Sequence, residues 1–168
     1  MEDTAMKIFK ENATGSDAIR VDISEGLEIL GLPYMPFEKG ERTLWFLLDT
    51  GASMNFLRKD VLDEFSDEII QMPYKTEFFG IDNVGHETNV YSLSVNLGHH
   101  TFVEEFQELV GEDALSFPLG DQVLQLDGIM GYPFFTRYGA CFSYALKTMY
   151  ISVPEPAPVA NKDFATSL

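Results

Sequence analysis

"WFLLDTGASMNFL", residues 45–57, is the stretch on which the reading of this chain turns. An apolar run, residues 44–48, leads straight into Asp49-Thr50-Gly51-Ala52-Ser53. The run reads as a buried strand. A carboxylate at the end of such a strand is costly to desolvate unless something uses it. Gly51 permits a tight turn that lets the backbone approach that carboxylate. Two readings are open at this point. Asp49 could cap an ordinary turn, since Asp and Gly are turn residues, or it could be a catalytic carboxylate on a shaped loop.

A second stretch bears on the choice. "DGIMGYPFF", residues 127–135, carries two apolar residues and then a glycine, Ile129-Met130-Gly131. The interval from Asp49 leaves room for a hairpin and a further strand pair. Together the two stretches resemble the motifs of aspartic proteases, specifically the single-domain retropepsin-like family, over about residues 31–153. The resemblance implies a mostly β protein: a closed retropepsin-like acid protease barrel with a flap hairpin and one or two short helices. It implies that Ile129, Met130 and Gly131 form a strand packed beside the Asp-Thr-Gly loop. By the same resemblance Thr50 anchors the loop through hydrogen bonds to a partner loop, and Gly51, Ala52 and Ser53 support it. Position alone puts the flap at Gly80, Ile81, Asp82, Asn83, Val84 and Gly85. The sequence departs from the family at Tyr132-Pro133 and Ser143, where relatives often carry acidic or amide residues. The flap tip is also more polar than the glycine-rich tips of viral members.

The chemistry that the resemblance implies explains the residue types. Peptide hydrolysis at mild pH needs an activated water and an acid for the leaving nitrogen. Two carboxylates held close together cannot both ionise, so they share one proton and titrate as a unit. This is the known behaviour of aspartic protease dyads. The ionised partner draws a proton from water, and the protonated one polarises the carbonyl. Ala52 stands where pepsin-like members often carry a hydroxyl that favours the ionised form. Loss of that donor raises the lower apparent pKa of the pair, so the expected pH optimum is less acidic than theirs.

The chain holds a single Asp-Thr-Gly. Asp127-Gly128 is no second copy, because it lacks the intervening Thr or Ser. Asp49 therefore cannot form a dyad alone. Either two chains meet about a two-fold axis, the commonest oligomer, or the chain is a non-catalytic peptide-binding or dimerisation module that retains the fold. The partners implied are a second copy and a peptide or unfolded protein substrate.

Composition narrows the alternatives. The 168 residues are 45% apolar and include 14 Phe, enough for one domain with a real core. The formal charge of −16 disfavours nucleic acid and anionic membrane surfaces as partners. Residues 103–127 hold Glu104, Glu105, Glu108, Glu112, Asp113, Asp121 and Asp127 with no Lys, Arg or His. The plain expectation is a solvated face. The lone Cys141 cannot form an internal disulfide and reads as a buried thiol. His86, His99 and His100 match no trusted metal spacing, and residues 82–87 lack the repeated carboxylates of a calcium loop. No metal and no organic cofactor are implied. Residues 1–17 lack the apolar core of a secretory leader, and residues 44–48 are too few to span a bilayer. The expectation is a soluble chain, cytoplasmic unless an upstream leader has been removed.

The coarse organisation follows. Residues 1–20 read as a flexible arm or a poorly defined strand, 21–153 as the protease-like domain, and 154–168 as a Pro-rich tail. "GLEILGLPYMPF" and "ERTLWFLLDT" read as strands about a turn at residues 38–41. Val61, Leu62, Phe65 and Ile69 fall at roughly helical spacing. Residues 75–97 read as a long hairpin and 101–109 as a strand. "FPLGDQVLQ" reads as a loop, "YPFFTRYG" as a short helix with Pro133 in its first turn, and residues 140–153 as a last hairpin.

Overall fold

The computed structural model describes residues 18–79, 85–109, 111, 113 and 115–152. The expected flap tip, Gly80 to Val84, and the expected tail at 154–168 lie outside them. So does the expected arm, apart from Ala18, Ile19 and Arg20. The elements in chain order are β1 (Ala18–Asp22), α1 (Ser24–Ile29), β2 (Tyr34–Lys39), β3 (Arg42–Leu48) and β4 (Asn55–Arg58). Then come α2 (Lys59–Glu64), β5 (Ile70–Phe79), β6 (Gly85–Leu97), β7 (His100–Leu109), β8 (Ser116–Leu119) and β9 (Gln122–Gln125). The last are β10 (Gly128–Met130), α3 (Tyr132–Arg137), β11 (Cys141–Ser143) and β12 (Thr148–Ser152).

Seven strands form one sheet in the order β2-β3-β10-β4-β7-β6-β5, and a pairing of Glu38 with Asn96 joins β2 to β6. That pairing closes a six-strand barrel, so the expected mostly β closed barrel is what the chain adopts. β5 extends the sheet beyond β6. A second sheet, β1-β12-β11, is antiparallel throughout.

Alternation builds the core. In β3, Leu44, Phe46 and Leu48 are buried while Trp45 and Leu47 are half-buried. The pleat sends one set inward, and the other face is still covered: Trp45 packs edge-on against Tyr34, ring centroids 5.6 Å apart. At the centre, fully buried Phe37 meets Phe46, Phe102 and Phe134 edge-to-face at 5.6–5.9 Å. Those rings come from β2, β3, β7 and α3, so one cluster ties the barrel to the helix. α2 contributes Val61 and Leu62, with Phe65 just beyond it.

Four expectations are corrected. Residues 24–29 form α1, not part of a strand. Asp22 Oδ1 accepts the Ser24 N–H at 2.8 Å and opens the turn, and six residues are too few to show a helical period. Gly26 lies so close to Tyr34 that a Cβ would meet its ring at 2.7 Å. "FPLGDQVLQ" is the β8–β9 hairpin and not a loop, reversing at Gly120 with φ 61°; strands of four residues leave little pattern to read. Cys141 is half-buried, not buried. The acidic run is not wholly solvated, because Glu104 and Asp127 are buried.

Asp127 explains its own burial. Its carboxylate accepts Arg42 Nη2 at 2.7 Å and the Trp45 N–H at 2.8 Å. Its N–H donates to the Trp45 carbonyl at 2.8 Å, and its carbonyl accepts the Arg58 N–H at 3.0 Å. One residue thus fixes the entrance of β10 between β3 and β4.

The aromatic cluster gives a direct test. Phe37→Ala should cost about 3–5 kcal/mol of folding free energy, read as a lower urea midpoint with an unchanged slope. A loss below about 1 kcal/mol would mean the cluster is not the centre of the core.

Candidate active site

β3 delivers Asp49 to its position. β10 lies parallel to β3 with Met130 beside Leu48, and antiparallel to β4 with Ile129 beside Phe56. Parallel neighbours cannot be joined by a tight turn, so residues far apart in sequence meet here. The loop between β3 and β4 then faces the residues that leave β10.

Three consecutive residues after β10's midpoint hold that loop. The Asp49 N–H donates to the Met130 carbonyl at 3.0 Å, and the Tyr132 N–H donates to the Ala52 carbonyl at 2.8 Å. Between them, the Gly131 N–H donates to Asn55 Oδ1 at 2.8 Å. Gly131 has no room for a side chain: a Cβ would fall on the Met54 carbonyl oxygen and 2.7 Å from that of Ala52. Within the loop, the Gly51 N–H donates to Asp49 Oδ1 at 2.9 Å, and a Cβ at Gly51 would lie 3.2 Å from the same oxygen. Glycine at 51 lets the backbone donor reach the carboxylate.

The structure therefore brings Asp49, Gly51, Ala52, Met130 and Gly131 into one hydrogen-bonded unit. Asp49 and Ala52 are half-buried, whereas Thr50, Gly51 and Ser53 are exposed. Ile129 is half-buried in β10 between β3 and β4. Of the expected flap, Gly85 is the first residue of β6 and pairs with Phe79; the other five residues are outside the description. Thr50 lines a groove of about 390 Å³ with Tyr132, Phe135, Thr136, Cys141 and Phe142.

Sequence reasoning missed the layer beneath the loop. Asn55 is 1% exposed. Its Nδ2 donates to Glu104 Oε2 at 2.9 Å and to the Glu105 carbonyl at 3.2 Å. Glu104 is 0% exposed, and its Oε1 pairs with Arg137 Nη1 at 3.0 Å. Arg137 also donates to the Val103 carbonyl at 3.0 Å. Burial holds the Glu104 carboxyl above its ordinary value, with Arg137 pulling the other way. Tyr138, hydrogen-bonded to the same carboxyl, is pushed up to about 12, first by burial and then by the Glu104 charge. Glu104 sat inside an acidic run in the sequence, so nothing marked it as buried. The one available signal was strand alternation, since Phe102, Glu104 and Phe106 share a face of β7.

No protein-family model and no curated protein matches the sequence. Solved structures do match the fold. A retropepsin-like aspartic protease from Rickettsia conorii superposes with a TM-score of 0.51 at 15% identity, covering 83% of this chain and 93% of that one. The retroviral protease-like domain of Ddi1 from Leishmania major gives 0.41 at 12% identity, covering 76% and 97%; it is too distant in shape to carry weight. The chain has the retropepsin-like fold. At such low identity the likeness extends to fold and no further.

Glu104 sets a stability test with a defined sign. Its folded-state pKa lies above its unfolded value, so the folded state favours the protonated carboxyl. That contribution is full below the unfolded pKa and is lost as pH rises through the folded one. Wild type should therefore lose stability relative to Glu104→Gln as pH rises above the ordinary glutamate value of about 4.3. Urea unfolding of both proteins over that rise in pH measures it. A gap that does not change with pH would refute the raised value.

Proposed function

We propose that this chain is an aspartic endopeptidase that works as a homodimer, each copy supplying one Asp49. The observation that carries the reading is the hydrogen-bonded unit at the end of β3. A backbone seam to Met130 and Tyr132 and an in-loop donor at Gly51 hold the loop that carries the half-buried Asp49, on a retropepsin-like fold. An ordinary turn has no need of a second strand end to hold it.

In the proposed reaction two Asp49 carboxylates face each other and share one proton. The ionised one takes a proton from a bound water as that water attacks the scissile carbonyl. The protonated one donates a hydrogen bond to the carbonyl oxygen and then passes a proton to the leaving nitrogen. Thr50, Gly51, Ala52 and Ser53 form the supporting loop, held by Ile129 and Met130 in β10 and by Gly131 just past its end. The flap would be residues 80–85, closing on an extended peptide with backbone hydrogen bonds and excluding water.

A second copy has a suitable face to meet. The groove beside Thr50 is lined by Tyr132, Phe135 and Phe142, and Tyr132, Tyr144 and Leu146 are exposed apolar residues nearby in the chain. β11 ends its sheet and pairs with β12 alone among the described strands. Edge strands with apolar neighbours favour pairing.

The test compares wild type with Asp49→Ala on a denatured protein substrate, with and without pepstatin, and with sedimentation to establish the dimer. Wild type should cleave, pepstatin should block it, and the variant should lose roughly a hundredfold to ten-thousandfold in rate. The pH–rate profile should peak well above pH 2, because Ala52 offers no hydroxyl to the dyad. Equal inertness of both proteins as confirmed dimers between pH 3 and pH 7 would defeat the enzyme reading. Equal peptide binding by the inert pair would favour a binding module.

A further inference from the structure

The buried amide of Asn55 has both its ends committed. The Gly131 N–H can only donate, so it meets Oδ1, and the Glu105 carbonyl can only accept, so it meets Nδ2. The orientation of the amide is therefore forced by its partners. Gly131 lies between the two residues whose backbone groups hold Asp49 and Ala52. A shift at Gly131 would move both of those bonds at once.

We propose that Asn55 is a positioning residue for Asp49, itself set by the buried Glu104 and the Arg137 that pairs with it. The chain of contact is continuous. Arg137 on α3 holds Glu104 on β7, Glu104 orients Asn55 on β4, Asn55 holds Gly131, and Met130 and Tyr132 hold the Asp49 loop. Arg137 is half-exposed, so the chain runs from solvent to the base of the loop. The inference rests on the protease reading for its kinetic consequence, and on geometry alone for the anchor. Buried polar groups that are fully paired rigidify a site, and small displacements of a reacting group lower rate more than binding.

The groups facing the Glu104 carboxyl are Arg137 and Tyr138 from α3 and the residue after it, and Asn55 from β4. Asn55→Asp would keep the acceptor for Gly131 but set a second carboxyl against Glu104. The two would share a proton at low pH and repel once both ionise. The variant should therefore approach wild-type kcat in acid and fall below it by roughly ten- to a hundredfold as pH rises, with KM changed about twofold or less. A folded variant whose kcat stays within about twofold of wild type across the whole range would overturn the proposal.

A second arm needs no activity. In wild type, NMR should show slow exchange of the Asn55 side-chain amide protons. The Gly131 amide and the Asn55 side chain should shift with one common midpoint as pH is varied, and that step should vanish in Glu104→Gln. Fast solvent exchange at Asn55, or no shared step, would overturn the anchor. A wild type that cleaves nothing yet shows the shared step would end the protease reading and leave the anchor standing.

Discussion

Everything at the site depends on a seam three residues long. The Met130 carbonyl, the Gly131 N–H and the Tyr132 N–H each hold a different point of residues 49–55. The seam requires the two backbones to approach more closely than any side chain at Gly131 would allow. It also requires β10 to run parallel to β3, and parallel neighbours need a long connection. The chain between them supplies it, running through β4, α2 and the strands β5 to β9. The closed barrel follows from routing that connection around the core and pairing β6 back onto β2.

The seam sits on a polar layer that a packed core would not ordinarily keep. Burying Glu104 is unfavourable, and the Arg137 pair offsets that cost only with good geometry and satisfied hydrogen bonds. Here both carboxylate oxygens have donors, from Asn55 and Arg137. Replacing the whole group by apolar residues would not obviously weaken the fold. It would remove the acceptor that holds the Gly131 N–H. The proposed role in holding the loop offers a reason for keeping the polar layer. Asp127 does similar work at the other end of β10, with its carboxylate committed to Arg42 and the Trp45 N–H.

Much of this was legible in the sequence, for identifiable reasons. Asp49-Thr50-Gly51 and Ile129-Met130-Gly131 are local patterns with steric causes, and their adjacency in space follows from the fold they resemble. The inward set of β3, the helix at Val61 and Leu62, and the place of Pro133 in α3 follow from periodicity and backbone chemistry. What escaped reading lacked a local signature. α1 and the β8–β9 hairpin are too short to display a period. Glu104 looked like one of seven acids on a solvated face, and only the register of β4 against β7, which pairs Asn55 with Phe106, brings it under the loop. Asn55 gave no sign in sequence of a role at Gly131, because that contact spans much of the chain.

The central claim is that Asp49 is half of a site. The most direct measurement is the stoichiometry with which pepstatin binds, taken by titration calorimetry alongside the sedimenting mass. The account predicts one inhibitor per two chains of 18.9 kDa, on a species of twice that mass. One inhibitor per chain, or saturation of a monomer, would contradict it.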